Sequence, residues 1–265
     1  MNGEYSNGPA AAEFLDPAKD AYIGGFLEMA GNRLYPFWGR LTEAMQTGER
    51  QNETRSGVDF FGELYSDPVR LRGFLEAMSS LSTPAAEAIA RQFPWEQYGS
   101  FADIGTAQGR VPVAIAKAHD HLRGIGYDLA PVRRCFEDYI AKHGLEDRVR
   151  FYQGDFFREP LAKADVLIMG HILHDWGMEE KLQLLRKAYD TLPKGGALIV
   201  YESLIDDGRQ RNTQGLLMSL NMLIETPAGF DYTGADCREW MAQTGFSSSY
   251  VEALSGGESM VVGIK

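Results

Sequence analysis

The stretch from Phe101 to Leu129, F-A-D-I-G-T-A-Q-G-R-V-P-V-A-I-A-K-A-H-D-H-L-R-G-I-G-Y-D-L, limits the folds open to this chain more than any other. Phe101 to Ile104 is a short apolar run closed by Gly105. Arg110 to His119 repeats apolar residues at helical spacing, and Leu122 to Tyr127 is a second strand-like run ending in Asp128. Strand, glycine turn, helix, strand and acid, in that order, describe a nucleoside site. Gly105 and Gly109 let the backbone pass close to a ligand. The helix from Arg110 aims free N–H groups at the turn, and Asp128 is placed to accept from both hydroxyls of a ribose.

The glycine spacing separates two kinds of nucleoside. A dinucleotide fingerprint requires G-x-G-x-x-G, but Ala107 and Arg110 occupy the second and third glycine positions. The remaining G-x-x-x-G, with Asp103 two residues ahead of it, suits a ligand without a pyrophosphate. S-adenosylmethionine (SAM) is the commonest of these, and an NAD-dependent oxidoreductase is disfavoured on the same ground. A lone glycine turn also ends plain structural strands, so Asp128 at the next strand tip carries much of the weight.

From Phe101 onward the pattern alternates. Strands are predicted at 101–104, 122–127, 149–153, 165–169, 196–202, 246–252 and 259–264, and helices at 110–118, 131–142, 178–191, 212–225 and 234–244. Alternation implies a mostly parallel sheet covered on both faces. Leu254 to Glu258 reads as a hairpin turn, so the sheet ends in an antiparallel strand. The fold expected is a class I methyltransferase, Rossmann-like sheet of seven strands, with SAM as cofactor and S-adenosylhomocysteine as its product. Two parts are expected: an N-terminal helical region over 1–92 and the SAM-dependent methyltransferase domain over 93–265. In the first, helical stretches are predicted over Ala21–Met45 (interrupted by Pro36 and its glycines), Val58–Leu64 and Pro68–Leu81. A further helix is predicted from an N-cap at Thr83, with Pro84 at its first position, to the residue before Pro94.

A length of 265 residues suffices for a full core, and a net charge of −11 argues against nucleic acid or an anionic membrane as partner. Cys135 and Cys237 fit no disulfide or metal spacing, which places the chain in a reducing cytoplasm. No apolar run is long enough to span a membrane, and no signal peptide is visible.

Ligands of such sheets lie at the carboxyl ends of the strands, and several of those tips carry chemistry. Asp155 and Phe156 are suited to an adenine amino group and ring face, or else are a turn acid and a core aromatic. His171, His174 and Asp175 follow strand four. A histidine there is suited to general-base work; the pair also resembles a metal site, but no zinc motif has this spacing and no metal is expected. Glu202 ends strand five, and a buried glutamate needs a partner such as an imidazole; a surface acid is the plain alternative. On the helix over 212–225, Asn221 and Glu225 share a face beside Met218 and Met222. They are either rim residues of a packed helix or a soft lining for a flat organic substrate.

On these residues the chain resembles the small-molecule O-methyltransferases of the acetylserotonin and caffeic acid type, from about Tyr22 to the C-terminus. L-H-D-W at 173–176, S-L-N-M-L at 219–223, G-D-F-F at 154–157 and the D-x-G-x-x-x-G turn carry the resemblance. It implies that Asp128, Leu129, Asp155 and Phe156 hold ribose and adenine and that Gly105 and Gly109 lie against the cofactor, with Met78 and Ser82 lining its site. His171 stands where a larger cofactor-contacting residue is usual. The resemblance makes His174 the catalytic base, with Glu202 and Asp231 orienting it. Asn221, Glu225, Met218 and Asp175 fall on the side of the small-molecule acceptor.

The departures are specific. The usual G-G-G-x-G is Gly105-Thr106-Ala107-Gln108-Gly109. The usual E-R-T is Asp231-Tyr232-Thr233, one carbon shorter at the acid and without the arginine, so His174 is expected to be held less firmly. Family members usually carry an N-terminal winged-helix-like domain that builds an intertwined dimer. A homodimer is therefore the assembly to consider, and Tyr22, Phe26, Trp38 and Leu41 are expected to lack their usual cover. Methyl transfer to a hydroxyl of a small aromatic metabolite leads. N- or C-methylation, a non-methylating SAM-binding enzyme and an inactive binding protein are the alternatives.

Overall fold

The computed structural model describes residues 5–19, 22–54 and 60–265. Seven strands form one sheet: β1 (Ser100–Ile104), β2 (Arg123–Asp128), β3 (Val149–Gln153), β4 (Val166–Gly170), β5 (Ala197–Glu202), β6 (Ser248–Ala253) and β7 (Ser259–Ile264). Their order is β3-β2-β1-β4-β5-β7-β6, with β7 antiparallel to both neighbours and the other pairs parallel. This is the seven-stranded architecture expected, and each strand lies within two residues of its predicted bounds. The order reverses between β1 and β4, so their carboxyl ends open a crevice where a ligand can sit.

Both faces of the sheet are covered, and the side-chain period of two divides the central strands between two cores. Ala102, Leu167, Met169, Leu198 and Val200 meet Leu184, Leu185, Trp240 and Met241 from α9 (Met178–Thr191) and α11 (Gly234–Thr244). Phe101, Val166, Ile168, Ala197 and Ile199 meet α6 (Pro68–Gln92) and α7 (Arg110–Ala118) on the other face. Helix α8 (Arg133–Lys142) packs Phe136 and Ile140 against α7 and β3. Helix α10 (Thr213–Glu225), N-capped by Asn212, lies near the end of β4. Within the β6–β7 hairpin turn, Gly256 and Gly257 take φ of 76° and 81°.

The N-terminal region is a series of short helices: α1 (Pro9–Phe14), α2 (Gly24–Met29), a π-turn (Ala30–Leu34), α3 (Tyr35–Trp38), α4 (Leu41–Thr47) and α5 (Phe60–Ser66). Pro36 lies at the start of α3, which follows without a break on the π-turn, Leu34 and Tyr35 both being helical. Part of the predicted 58–64 helix and Ala21 lie outside the described residues.

Two expectations are corrected. The predicted helices at 68–81 and from Thr83 are one helix, α6, running through Pro84. Its N-cap is Asp67, whose carboxylate accepts from the N–H groups of Val69 and Arg70, with Pro68 at the first position. Thr83 does not cap; its Oγ1 donates back to the Ser79 carbonyl. Ala85, Ala86, Ile89 and Ala90 are buried in the same core as Phe101 and Ile115, and that packing holds the helix across the proline. Pro84→Ala is therefore expected to raise stability, by about 1–3 kcal/mol in urea unfolding, since an interior proline costs a helix about 3 kcal/mol. The second correction concerns the uncovered surface. Tyr22, Phe26, Trp38 and Leu41 are half-buried, and it is Phe14, Leu15, Leu27, Tyr35 and Met45 that stand exposed. Among the described residues no helix is long and apolar enough to cross a membrane.

Candidate active site

The β1–α7 turn is built for close approach. Gly105 has φ of 75°, a conformation that favours glycine, and a Cβ there would meet the tip of the Ile172 side chain at 2.3 Å. Ala107 shares the left-handed region at φ 51° without being glycine, a strained backbone of the sort that persists where surrounding structure enforces it. The enforcing group is Asp128. Its Oδ2 accepts from the Ala107 N–H at 2.9 Å and its Oδ1 from the Leu129 N–H at 2.7 Å. Burial pushes this carboxyl up to about 6, against the pull of those two N–H donors. At neutral pH it is mostly ionised, and each oxygen retains a lone pair for a hydroxyl. Beneath the turn, Asp103 accepts from Thr106 Oγ1 and is pushed up by burial to about 7.

The other residues expected at the cofactor lie on the loop after β3 and on α6. Asp155 ends the loop after β3, accepting from the Phe157 N–H. Phe156 packs edge-on against Phe157 and Trp176. Helix α6 carries Met78 and Ser82, both half-buried, and reaches the turn through Ser79, which donates to Gln108 Oε1 at 3.0 Å. The donors and acceptors present fit a nucleoside with free hydroxyls: a locked, ionised acid at the β2 tip beside a glycine backbone that carries no side chain toward it.

After β4 the chain turns at His171, whose φ is 53°, and Leu173–Asp175 forms a single 3₁₀ turn. His174 is buried. Its Nδ1 lies 3.2 Å from Asp231 Oδ1 and 3.2 Å from Glu202 Oε2. Glu202 Oε1 accepts from the His174 backbone N–H at 3.3 Å and from the Tyr232 hydroxyl at 3.2 Å. The other ring nitrogen, Nε2, faces Asp175 Oδ1 at 3.6 Å. His171 places Nε2 at 3.0 Å from Glu258 Oε1, on the β6–β7 turn. Burial opposes charge on His174, but Glu202 first, then Asp175 and Asp231, hold its imidazole up at about 10. Burial likewise raises Glu202 and Asp175, tempered by the histidines.

His174, Glu202 and Asp231 thus come together from two loops and a strand, and the shorter Asp231 still reaches the ring. Donor atoms of His171, His174 and Glu202 lie within 4.8 Å of one another. The Nδ1 of His174 faces carboxylates, as in a base held in one tautomer. Asn221 and Glu225 are not open to a cavity alone. Asn221 Oδ1 accepts from Trp38 Nε1 at 3.0 Å, and Glu225 pairs with Arg33 at 2.6 Å. Met218 is half-buried on the same helix. The N-terminal helices therefore cover α10.

Two residues escaped the sequence reading. Tyr65 of α5 has its phenol pushed well above the usual range by burial and then by Asp128 and Asp175, so it shares the electrostatic environment of both acids. Lys181, fully buried on α9, donates to the Trp176 and Phe230 carbonyls. Its signal was present: it occupies the stripe of Leu184, Leu185 and Ala188, where the helical period calls for an apolar residue.

The strand-order reversal, the acid locked at the β2 tip and the buried histidine between carboxylates are features that a nucleoside-dependent transferase requires. The family model of the O-methyltransferase domain matches residues 38–247, and the chain belongs to this family of SAM-dependent methyltransferases. It is 40% identical over 98% of its length, and 76% of the relative's, to "Tetracenomycin polyketide synthesis 8-O-methyl transferase TcmO" of Streptomyces glaucescens. It is 34% identical, with the same coverage, to "N,N-dimethyltransferase OxyT" of Streptomyces rimosus. Among solved structures it resembles the O-methyltransferase NcsB1 from neocarzinostatin biosynthesis in complex with SAM and 2-hydroxy-5-methyl naphthoic acid, with a TM-score of 0.81 and 27% identity over 94% of this chain and 74% of that one. SAM is the cofactor of this chain, and its reaction is O-methylation of a small molecule.

Proposed function

We propose that the chain methylates a hydroxyl on a flat, aromatic or polyketide-type metabolite, with His174 as general base. One observation carries the reading: His174 is buried with Nδ1 held by Asp231 and Glu202, while Nε2 faces away from those two acids toward Asp175 at 3.6 Å. In the neutral Nδ1–H tautomer, Nε2 takes the acceptor proton while Glu202 and Asp231 stabilise the imidazolium that forms. Asp175 stands beside Nε2 to receive the hydroxyl. SAM, when bound, would supply a methyl on a sulfonium centre: the acceptor oxygen, freed of its proton, would form the new bond to that carbon as the carbon–sulfur bond breaks, and S-adenosylhomocysteine would leave as a neutral thioether. Asp128, Leu129, Asp155, Phe156, Gly105, Gly109, Met78 and Ser82 would hold it, His171 closing the pocket between cofactor and base. Positioning and exclusion of water by this buried site account for most of the acceleration.

The acceptor wall in this reading is α10, with Met218 and Asn221 facing the ligand, and the N-terminal region over 1–92 closes it through Trp38 and Arg33. The names of TcmO and NcsB1's bound naphthoic acid support a fused-ring acceptor. OxyT's name favours an amine, so the test must separate the two. The chain is incubated with methyl-labelled SAM and matched pairs of hydroxynaphthoates and aminonaphthoates. Label in an aryl ether is the expected result. Label only in the amine overturns the hydroxyl reading, and SAM binding with no transfer to either series favours the binding-protein alternative.

The reading also includes a cytoplasmic enzyme, supported by two unpaired cysteines, and a homodimer. Exposed Phe14, Leu15, Leu27, Tyr35 and Met45 support the latter, and sedimentation at micromolar concentration tests it. A pH dependence follows as well. His174 must be neutral to accept a proton, and its pKa is raised to about 10. The acceptor kcat/KM is therefore expected to climb with pH from 7 toward 10. Asp231→Asn removes a nearby anion, lowers the imidazole pKa and shifts that limb to lower pH.

A further inference from the structure

The reaction as read above leaves a buried ammonium without a role. Lys181 has no exposed surface, and an ammonium is costly to bury unless it is hydrogen-bonded and paired. Burial pushes it down to about 8, while Glu202, Asp231 and Asp175 pull it back toward the charged form. Its donors are satisfied in three directions: the Trp176 carbonyl at 2.5 Å, the Phe230 carbonyl at 3.2 Å and the face of the Phe230 ring, 3.6 Å from its centroid. Trp176 closes the 3₁₀ turn that carries His174 and Asp175. Phe230 immediately precedes Asp231. These are separate segments, and the bond between their functional groups, His174 Nδ1 to Asp231 Oδ1, spans 57 positions of sequence. Asp231 is otherwise moored by its N–H to Ser219 Oγ at 3.3 Å and by the neighbouring Tyr232.

The geometry points to Lys181 as a positioning residue for methyl transfer: from α9 it ties the loop bearing His174 to the segment bearing Asp231, and sets a cationic group near the site's carboxylates. This inference rests on the reading of His174 as base. It also accounts for how the site keeps a cation in the absence of the arginine that the E-R-T pattern would place at position 232. Among the described residues, the charged groups around His174 are Glu202 from β5, Asp231 beyond α10, Asp175 and His171 from the β4 loop, Glu258 behind His171 and Lys181 from α9. A shift of about 1 Å in either loop suffices to break a hydrogen bond of 3.2 Å, and misplacement on that scale costs catalysis roughly 100-fold.

The test uses the full chain and does not require the natural acceptor. A ring N–H held between carboxylates gives a proton resonance downfield of the amide envelope, assigned here by its loss in His174→Gln. With five histidines in the chain the assignment is tractable. The signal is expected in the wild type and expected to be lost or broadened by solvent exchange in Lys181→Met, with the amide envelope and calorimetric SAM binding preserved. Lys181→Gln, which keeps one bond to a loop carbonyl, is expected to retain a weakened signal, and it decides the matter if the methionine variant does not fold. An unchanged signal in the folded neutral variant overturns the inference and makes Lys181 a structural residue only. Absence of the signal from the wild type overturns the base reading itself, a different failure.

Discussion

His174→Gln is expected to lower kcat by roughly 10²- to 10⁴-fold, the range ascribed to a positioned general base, with SAM affinity unchanged. Glutamine keeps much of the volume and an N–H to offer Asp231, so the two carboxylates do not face one another without a donor between them. What it lacks is a nitrogen that can take the acceptor proton. A secondary outcome makes the prediction sharper. A phenol can lose its proton to solvent before binding, so the variant's residual rate should rise only with the acceptor's own pKa, without the limb that the His174 imidazole, raised to about 10, gives the wild type. Steady-state kinetics over pH 6–10, with calorimetry for SAM, checks both. Full activity at neutral pH in the variant would remove His174 from the mechanism and leave orientation as the sole source of rate.

How much of this was readable in the chain follows from which interactions are local. The strands were legible because β4 and β5 are buried on both faces and therefore written as unbroken apolar runs, V-L-I-M and A-L-I-V-Y. The cofactor turn was legible because its requirement is local: a conformation that favours glycine and an acid at the next strand tip. His174 and Glu202 were legible as polar residues where such strands end. Asp231 came only through the resemblance, since nothing in F-D-Y-T itself says that it meets a histidine 57 residues earlier.

The misread helix start at Thr83 and the contacts that went unread share one cause, packing that no local signal reports. Thr83-Pro84 has the chemistry of a helix start, yet core contacts on both sides of it carry α6 through. Asn221 and Glu225 were read correctly as neighbours on one face, but their partners, Trp38 and Arg33, lie about 190 residues away and no periodicity reports them. Tyr65 reads as an ordinary amphipathic-helix aromatic. Its place near Asp128 and Asp175 is set by how α5 lies over the crevice.

Asp128→Ala is expected to weaken SAM binding by two to three powers of ten. A hydrogen bond to a charged group contributes about 1.5–3 kcal/mol, and two hydroxyls on one carboxylate therefore amount to roughly 3–5 kcal/mol, at about 1.4 kcal/mol per tenfold. Part of the loss is indirect. The same carboxylate holds the Ala107 N–H, and without it the left-handed turn at φ 51° has one restraint fewer, so the glycine turn relaxes away from its binding shape. The two contributions separate by pH. In the wild type the ionised acid does the binding, and burial has raised its pKa to about 6. A proton then competes with SAM, and affinity should fall as pH drops through 6, by about tenfold per unit well below it. Asp128→Ala has nothing to titrate there, so its weak affinity should be flat across that range apart from what Asp103 contributes. Calorimetry at pH 5, 6, 7 and 8 on both proteins distinguishes the cases. Equal affinity and equal pH dependence in the two would move the ribose away from the β2 tip and, with it, the placement of every residue argued from that tip.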